Sequence, residues 1–401
     1  MPGGGLSKLM HSDILCPHCM EELRREDILY ICPIGNHVVK QNAMEFVSMR
    51  APVCKNSSCH RQIAKRYCKY CKSPLPYDIL QYKKNLRFAM IGITGSGKTN
   101  FLTTMLTEAK RAQEFPMIIT WREKQTKLVY IKNKDMLYRD KKRLDMTTPG
   151  VRPVPQQWKL TPRTMLNTSR LTETGRVEEV YSLTVFDGAG ESCENTDPVV
   201  SRYIMGAKAL IILFDPLALP TFSSHLPEEV IRRSTVTEHE ADDNTSMVEE
   251  VANYIRENCN IGAKDRIDKD VAIVFTKIDE VFDSFGFGTV NEPSPHNGVG
   301  GFVKKDADEV DREIRDWLRE RGELSFLDAV EAHFNPSRVK FFGVSSFGQH
   351  PNNNGEPVVI EPHRVLDPFY WMLSLEGVIP VITDDGDPQE EHTEEETLDE
   401  S

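Results

Sequence analysis

Apolar positions fall into two regimes along this chain. Before about residue 82 they are scattered among cysteines and charges, with few long apolar runs. From 83 to about 380 they gather into short blocks: LRFAMIGI (86–93), EEVYSLTVFD (178–187), ALIILFDP (209–216), VAIVFTKID (271–279) and VKFFGVSS (339–346). Most of these blocks hardly alternate, which is the pattern of strands covered on both faces, as in a parallel sheet. The first block runs through a glycine-rich turn into NFLTTMLTEAKRAQ, a helix-like stretch, and RVLDPFYWMLSLEG (364–377) reads as a closing amphipathic helix. Strands alternating with helices predict an α/β fold with a doubly wound sheet. Polar or Pro/Gly/Asn-rich stretches at 221–248, 284–301 and 349–357 read as loops or insertions, and no repeat of fixed period is present.

The ends of these strands carry the chemistry. GITGSGKT (92–99) matches GxxxxGKT in full, between a strand and a helix. In such a loop Gly92, Thr94, Gly95, Ser96 and Gly97 turn backbone N–H groups toward phosphate oxygens. The helix that follows, through Asn100, points its positive end at the same place. Lys98 is expected to reach the β- and γ-phosphates and Thr99 to hold Mg²⁺. A chance glycine-rich turn is the plain alternative, and the aligned strand, motif and helix weigh against it.

DGAG (187–190) ends the next block as DxxG. There Asp187 would hold Mg²⁺ through a water, and the Gly190 N–H would follow the γ-phosphate. TKID (276–279) ends another strand. Its carboxylate, Asp279, would accept from the N1–H and N2–H of guanine, a pair of donors adenine lacks, while the Lys277 stem lies along the base and Thr276 completes the motif. VSS (344–346) follows the last strand, where backbone N–H groups at Ser345 and Ser346 would support guanine O6. Taken singly, DxxG fits any turn and TKID fits a helix cap; their order after a phosphate loop gives them weight.

The four motifs together resemble P-loop GTPases, and beside that family Glu191 stands where small GTPases place a water-positioning glutamine; it either acts as a base or repels the nucleotide's charge. The same resemblance implies a switch threonine between Lys98 and Asp187. Thr164, with Thr161, just precedes the strand pair leading to Asp187, whereas Thr147 and Thr148 are more distant options. The long interval itself implies an elaboration between the two motifs. Arg152, Arg163 and Arg202 are candidate arginine fingers, each more simply read as a solvated base.

Seven of the nine cysteines precede residue 72. CPHC (16–19), Cys32 with His37, CKNSSC (54–59) and CKYC (68–71) supply four ligand pairs, enough for two tetrahedral structural Zn²⁺ sites. Sequential pairing groups Cys16, Cys19, Cys32 and His37 apart from Cys54, Cys59, Cys68 and Cys71. A cross-braced pairing, first pair with third, is the alternative. Full four-ligand sets argue against catalytic zinc, and a segment this small needs metal to fold. The chain thus divides into a zinc-ribbon-like module (1–82), an α/β domain (83–380) and an acidic, disordered tail (381–401).

The net charge of −12 is concentrated in that tail, whereas 50–87 is strongly basic. With Tyr67, Tyr70, Tyr77 and Tyr82 interleaved, the basic stretch is a candidate nucleic-acid surface, weighed against lysines that merely offset a Cys₄ site. No apolar run approaches the ~18 residues of a membrane span. Without a secretory h-region or a Met-Gly start, the chain is expected to be cytoplasmic.

GITGSGKT, DGAG, TKID and VSS together resemble the P-loop GTPases of the TRAFAC class over about residues 86–376. That resemblance implies a GTPase domain alternating between GTP and GDP, with Mg²⁺. CKYCKSPLPYDIL, DGAGE and RVLDPFYWML are further similar to bacterial zinc-ribbon "double-GTPase" type proteins of conflict or defence systems. This resemblance implies a GTP-driven switch acting with partner proteins of the same system, in which the glutamate after DxxG is a family trait.

Overall fold

The computed structural model describes residues 16–48, 50–79, 84–92, 95–144, 155–163, 180–187, 198–219, 243–259, 261–349, 359–383 and 388–389. The first part is a small module in which β1 (Ile28–Tyr30) pairs antiparallel with β2 (Arg66–Cys68), and β2 with β3 (Pro74–Leu75). A short helix, α1 (Ala43–Val47), lies in the loop between β1 and β2. Cysteines make up much of the module's core, joined by Leu23, Ile28, Tyr30, Val39, Ile63, Leu75 and Ile79.

The remaining elements follow in chain order. They are β4 (Lys84–Gly92), α2 (Lys98–Arg111), β5 (Met117–Trp121), α3 (Lys124–Lys134), β6 (Gln156–Pro162), β7 (Tyr181–Asp187), α4 (Pro198–Gly206), β8 (Ala209–Phe214) and α5 (Asp243–Cys259). Then come β9 (Asp270–Phe275), β10 (Phe302–Val303), α6 (Lys304–Glu320), α7 (Leu324–His333), β11 (Val339–Gly343), α8 (Asp367–Leu375), β12 (Val381–Ile382) and β13 (Pro388–Gln389). Among the described residues a seven-stranded sheet forms in the order β11-β9-β8-β4-β7-β6-β5. The strands from β11 to β7 are parallel, while β6 and β5 are antiparallel additions at one side.

Side-chain parity explains the apolar blocks. Leu86, Phe88 and Met90 enter one core with α2, β5 and α8, whereas Ala89 and Ile91 enter the other with α4, α5, α6 and α7. The same split divides Ala209, Ile211 and Leu213 from Leu210, Ile212 and Phe214. A strand covered on both faces must be apolar at every position, so its sequence reads as a run. The mixed α/β class with a central, mostly parallel sheet is therefore as expected.

An elaboration before Asp187 was expected and is present, and two other features differ from the sequence reading. The elaboration before Asp187 is a hairpin-like edge, β5 against β6 with Trp121 opposite Trp158, plus α3. The polar stretch 221–248 ends in helix, since α5 begins at Asp243. The segment assigned to the tail from 381 begins with β12 and β13, and β12 pairs parallel with β10.

Candidate nucleotide site and metal centres

Because β7, β4, β8, β9 and β11 run parallel, their carboxyl ends share one edge of the sheet. Asp187 pairs with Met90, Gly92 with Leu213, Leu213 with Val274, and Phe275 with Gly343. The strand order places β7 on one side of β4 and β8, the next strand in the chain after β7, on the other, and crevices outside such reversal points are where open α/β sheets bind ligands. GITGSGKT, DGAG, TKID and VSS all begin at this edge.

The phosphate-loop backbone requires its glycines. Gly95 (φ +85°) and Gly97 (φ +81°) are left-handed, and Gly97 is the N-cap of α2. A Cβ on Gly92 would stand 2.7 Å from Ser96 Oγ and 2.8 Å from the Leu213 carbonyl. Lys98 is buried, and its ammonium donates to the Gly92 carbonyl, folding the side chain back over the loop. Ser96 Oγ and Asn100 Oδ1 are buried without a hydrogen-bond partner among the described residues.

Thr276 ties the two halves of the site together. Its hydroxyl lies 2.8 Å from the Ser96 carbonyl and 3.0 Å from the Phe214 carbonyl, joining TKID to the phosphate loop. Lys277 is left-handed (φ +52°), and its ammonium pairs with Asp215, a carboxylate fully buried at the end of β8. Asp215 Oδ1 also accepts from the Leu217 N–H at 3.0 Å. Asp279 is partly buried in the 3₁₀ turn Ile278–Ser284. Ser345 is buried and exchanges two backbone bonds with His363 (2.9 and 2.8 Å), while its Oγ accepts from Gly348 N at 2.7 Å. Burial lowers the His363 pKa, and Nε2 lies 2.7 Å from the Val290 carbonyl, a bond in which the ring N–H donates. Ser346 follows at partial exposure.

Asp215 was missed in the sequence reading. The signal was present: an aspartate ending an otherwise apolar strand is costly to bury unless something holds it.

Several expected residues lie outside the described residues: Thr94, Gly190, Glu191 and Thr164, as do the alternatives Thr147 and Thr148 and also Arg152. The backbone of Asp187 closes β7. Of the switch-threonine candidates, the sheet register bears on Thr161. β6 runs antiparallel to β7, so Gln156 faces Val185 near the site, whereas Leu160 faces Tyr181 at the far end. Thr161, one residue further, is thus displaced about seven strand residues, roughly 23 Å, from the level of Asp187. Arg163 is also at the far end, its guanidinium donating to the Phe115 (2.6 Å) and Ala112 (3.1 Å) carbonyls. Arg202 pairs with Glu21 at 2.8 Å. Neither acts as a finger in this arrangement.

The cysteines form two groups, and the sequential pairing is overturned. Cys16, Cys19, Cys68 and Cys71 come together, while Cys32, Cys54 and Cys59 form the second set. His37 Nε2 lies 3.4 Å from Cys54 Sγ and is that set's candidate fourth ligand. The grouping is nested, first pair with fourth and second with third, and so also differs from the cross-braced alternative. Strand pairing explains it: Ile28 opposite Cys68 carries the last knuckle to the first and leaves the middle ligands on the intervening loop.

The geometry suits zinc. Tetrahedral bonds of about 2.3 Å to sulfur give sulfur–sulfur edges of about 3.8 Å. Cys16 to Cys71 measures 3.7 Å and Cys19 to Cys68 3.8 Å. Backbone N–H groups of His18 (3.4 Å), Tyr70 (3.3 Å) and Gly35 (3.4 Å) donate to Cys16, Cys68 and Cys32. The Gly35 N–H draws Cys32 down to about 7. At Cys71 burial pushes upward, but the Ser73 hydroxyl and N–H outweigh it, also giving about 7. His18 is a bystander, its Nε2 3.0 Å from the Pro74 carbonyl. Of the basic stretch, Lys69 pairs with Asp27 at 3.0 Å and Arg66 donates to the Tyr77 carbonyl, so both serve the module internally.

No protein-family model matches the chain, and no curated protein sequence matches it. Among solved structures, it is similar to the Ski7 GTPase-like domain of S. cerevisiae bound to GTP, at 11% identity and a TM-score of 0.31, over 75% of this chain and 51% of that one. The chain therefore spans about half the length of that match. It is also similar to the Arl6 small GTPase of Trypanosoma brucei with bound GppNp (12%, TM-score 0.27, 73% and 98% covered). A third is the signal recognition particle receptor SRb-GTP/SRX complex of Chaetomium thermophilum (14%, TM-score 0.27, 66% and 93% covered). These superpositions are too loose to carry a ligand or an activity to this chain. No helix among the described residues is long and apolar enough to cross a membrane.

Proposed function

We propose that this protein is a guanine-nucleotide switch that binds GTP with Mg²⁺ and hydrolyses it slowly, acting with partner proteins of a bacterial conflict or defence system. The observation that carries the nucleotide reading is the bond between the Thr276 hydroxyl and the Ser96 carbonyl. It supports one continuous site in which a phosphate cradle and a base reader are held at fixed separation.

In this reading, N–H groups of the Gly92–Asn100 loop hold phosphate oxygens and Lys98 leaves Gly92 to meet the β- and γ-phosphates. Thr99 and Asp187 would hold Mg²⁺, which would supply positive charge to offset that developing on those oxygens. Asp279 selects guanine, and Lys277, anchored by Asp215, lies along the base. The Ser345–Ser346 backbone meets O6. Glu191 positions or activates the attacking water. Two Zn²⁺ ions, one on Cys16, Cys19, Cys68 and Cys71 and one on Cys32, His37, Cys54 and Cys59, replace the core that the module is too small to build.

The direct test is phosphate release from GTP and from ATP in Mg²⁺, by wild type and Glu191→Gln. Cleavage of GTP alone, with a rate changed by the substitution, supports the reading. Tight GTP binding without phosphate release from either protein would instead mark a GTP-bound scaffold, or an enzyme waiting for its partner.

The switch threonine is separable by substitution. Thr164→Ala should slow GTP hydrolysis by about tenfold or more, as loss of an interaction worth about 1.4 kcal/mol in the transition state would. Thr147→Ala and Thr148→Ala should leave the rate within about twofold. Single-turnover phosphate release distinguishes them, and the reverse order would move the assignment to Thr147 or Thr148.

A further inference from the structure

The first knuckle of the module rests on the helix that follows the phosphate sensor. α4 is the first described element after Asp187, and its exposed turn meets residues 17–21. The Tyr203 hydroxyl donates to the Pro17 carbonyl. The Arg202 guanidinium pairs with Glu21 at 2.8 Å and approaches the Cys19 carbonyl at 3.4 Å. Met20 leaves the module's own core and packs with Tyr203, Ile204 and Ala207 in the core of the α/β domain.

The opposite side of the knuckle is held as well. His18 Nε2 lies 3.7 Å from Glu123, which caps α3, and Asp78 forms a buried ion pair with Arg122 at 3.5 Å. The ligand turn Cys16–Cys19 is thus clamped between α4 and the β5–α3 junction. α4 is held at its C-terminus, where Lys269 donates to the Met205 (3.1 Å) and Ala207 (2.6 Å) carbonyls, and along its length by Tyr203 and Ile204 in the α/β core. Its N-terminus continues back in sequence to DGAGE. The helix that follows the phosphate-sensor motif in sequence therefore bears directly on the turn that carries Cys16 and Cys19.

We infer that the Cys16/Cys19/Cys68/Cys71 site and the γ-phosphate are energetically coupled through α4, so that the zinc module is the output element of the switch. This rests on the guanine-nucleotide reading above. Coupling between two sites is reciprocal: a nucleotide that changes metal retention is itself bound with an affinity that depends on the metal. Buried contacts rather than long-range charge carry it, because Met20 and Tyr203 are both under a tenth exposed.

The experiment uses the full chain as purified with zinc. Calorimetry first establishes binding of GDP and of a non-hydrolysable GTP analogue. Zinc release to a chromophoric chelator is then followed in each state. A Cys59→Ser variant, which lacks a ligand of the other site, assigns the phases. The expected result is a first-site release rate that differs by about fivefold or more between the two nucleotide states. Tyr203→Phe, which removes one hydroxyl and keeps the ring, combined with Arg202→Ala, should bring the ratio toward one while both nucleotides still bind. Equal rates in the two states, with both nucleotides bound, would overturn the coupling and leave the nucleotide site intact. Failure to bind either nucleotide would instead defeat the site reading and the coupling with it. A first site that holds no zinc on elemental analysis would overturn the coupling alone.

Discussion

Asp279→Asn is expected to lower GTP and GDP affinity by about 10²–10⁴-fold and to create binding of xanthosine nucleotides. The carboxylate would lose a pair of charge-assisted bonds to guanine N1–H and N2–H, each worth about 1.5–3 kcal/mol. An amide keeps one acceptor for N1–H and offers a donor where xanthine carries O2, so the matched pair is restored with the altered base. Titration calorimetry of wild type and variant with GDP, XDP and ADP reads the result. Folding should survive, since Asp279 is only partly buried near the start of a short 3₁₀ turn. Unchanged GDP affinity in the variant would strip TKID of its role, and the joint between Thr276 and Ser96 would then be only a structural clasp.

Removal of metal is expected to unfold the module while sparing the sheet. Structural zinc in small domains contributes about 10–16 kcal/mol of apparent folding free energy. The core between Cys16 and Ile79 holds six cysteines among few large apolar side chains and has little else to offer. Chelation should therefore open residues 16–79 to protease before the α/β domain is cut. Two zinc ions per chain are expected by elemental analysis. Nesting makes a sharper forecast: Cys16→Ser with Cys71→Ser should cost one zinc, whereas Cys54→Ser with Cys71→Ser should cost both. Under sequential pairing the two doubles would exchange outcomes. Loss of the first site should also loosen Met20 from the α/β core, so the first double should lower the melting temperature of the whole chain more than Cys54→Ser with Cys59→Ser does.

Much of this arrangement was legible before any coordinates. Phosphate loops need glycines at fixed offsets, so GITGSGKT announces itself through backbone requirements that Gly92, Gly95 and Gly97 then display. Parallel strands buried on both faces read as apolar blocks, and the five blocks recognised became β4, β7, β8, β9 and β11. The edge strand β5 and its neighbour β6 escaped notice because they mix Trp and Ile with Lys, Gln and Thr. Asp215 escaped because its partner, Lys277, is 62 positions away.

The sequence by itself determined which residues carry the chemistry. Cysteine spacing names the metal ligands, and four short motifs name the nucleotide candidates, because each requirement is met within a few neighbouring residues. Only the tertiary structure decided who meets whom. The antiparallel pairing of β1 with β2 nests the two ligand sets, the direction of β6 carries Thr161 away from the site, and α4 receives the first knuckle. Strand register, strand direction and helix docking arise from packing between segments distant along the chain, and spacing within a motif carries no record of them.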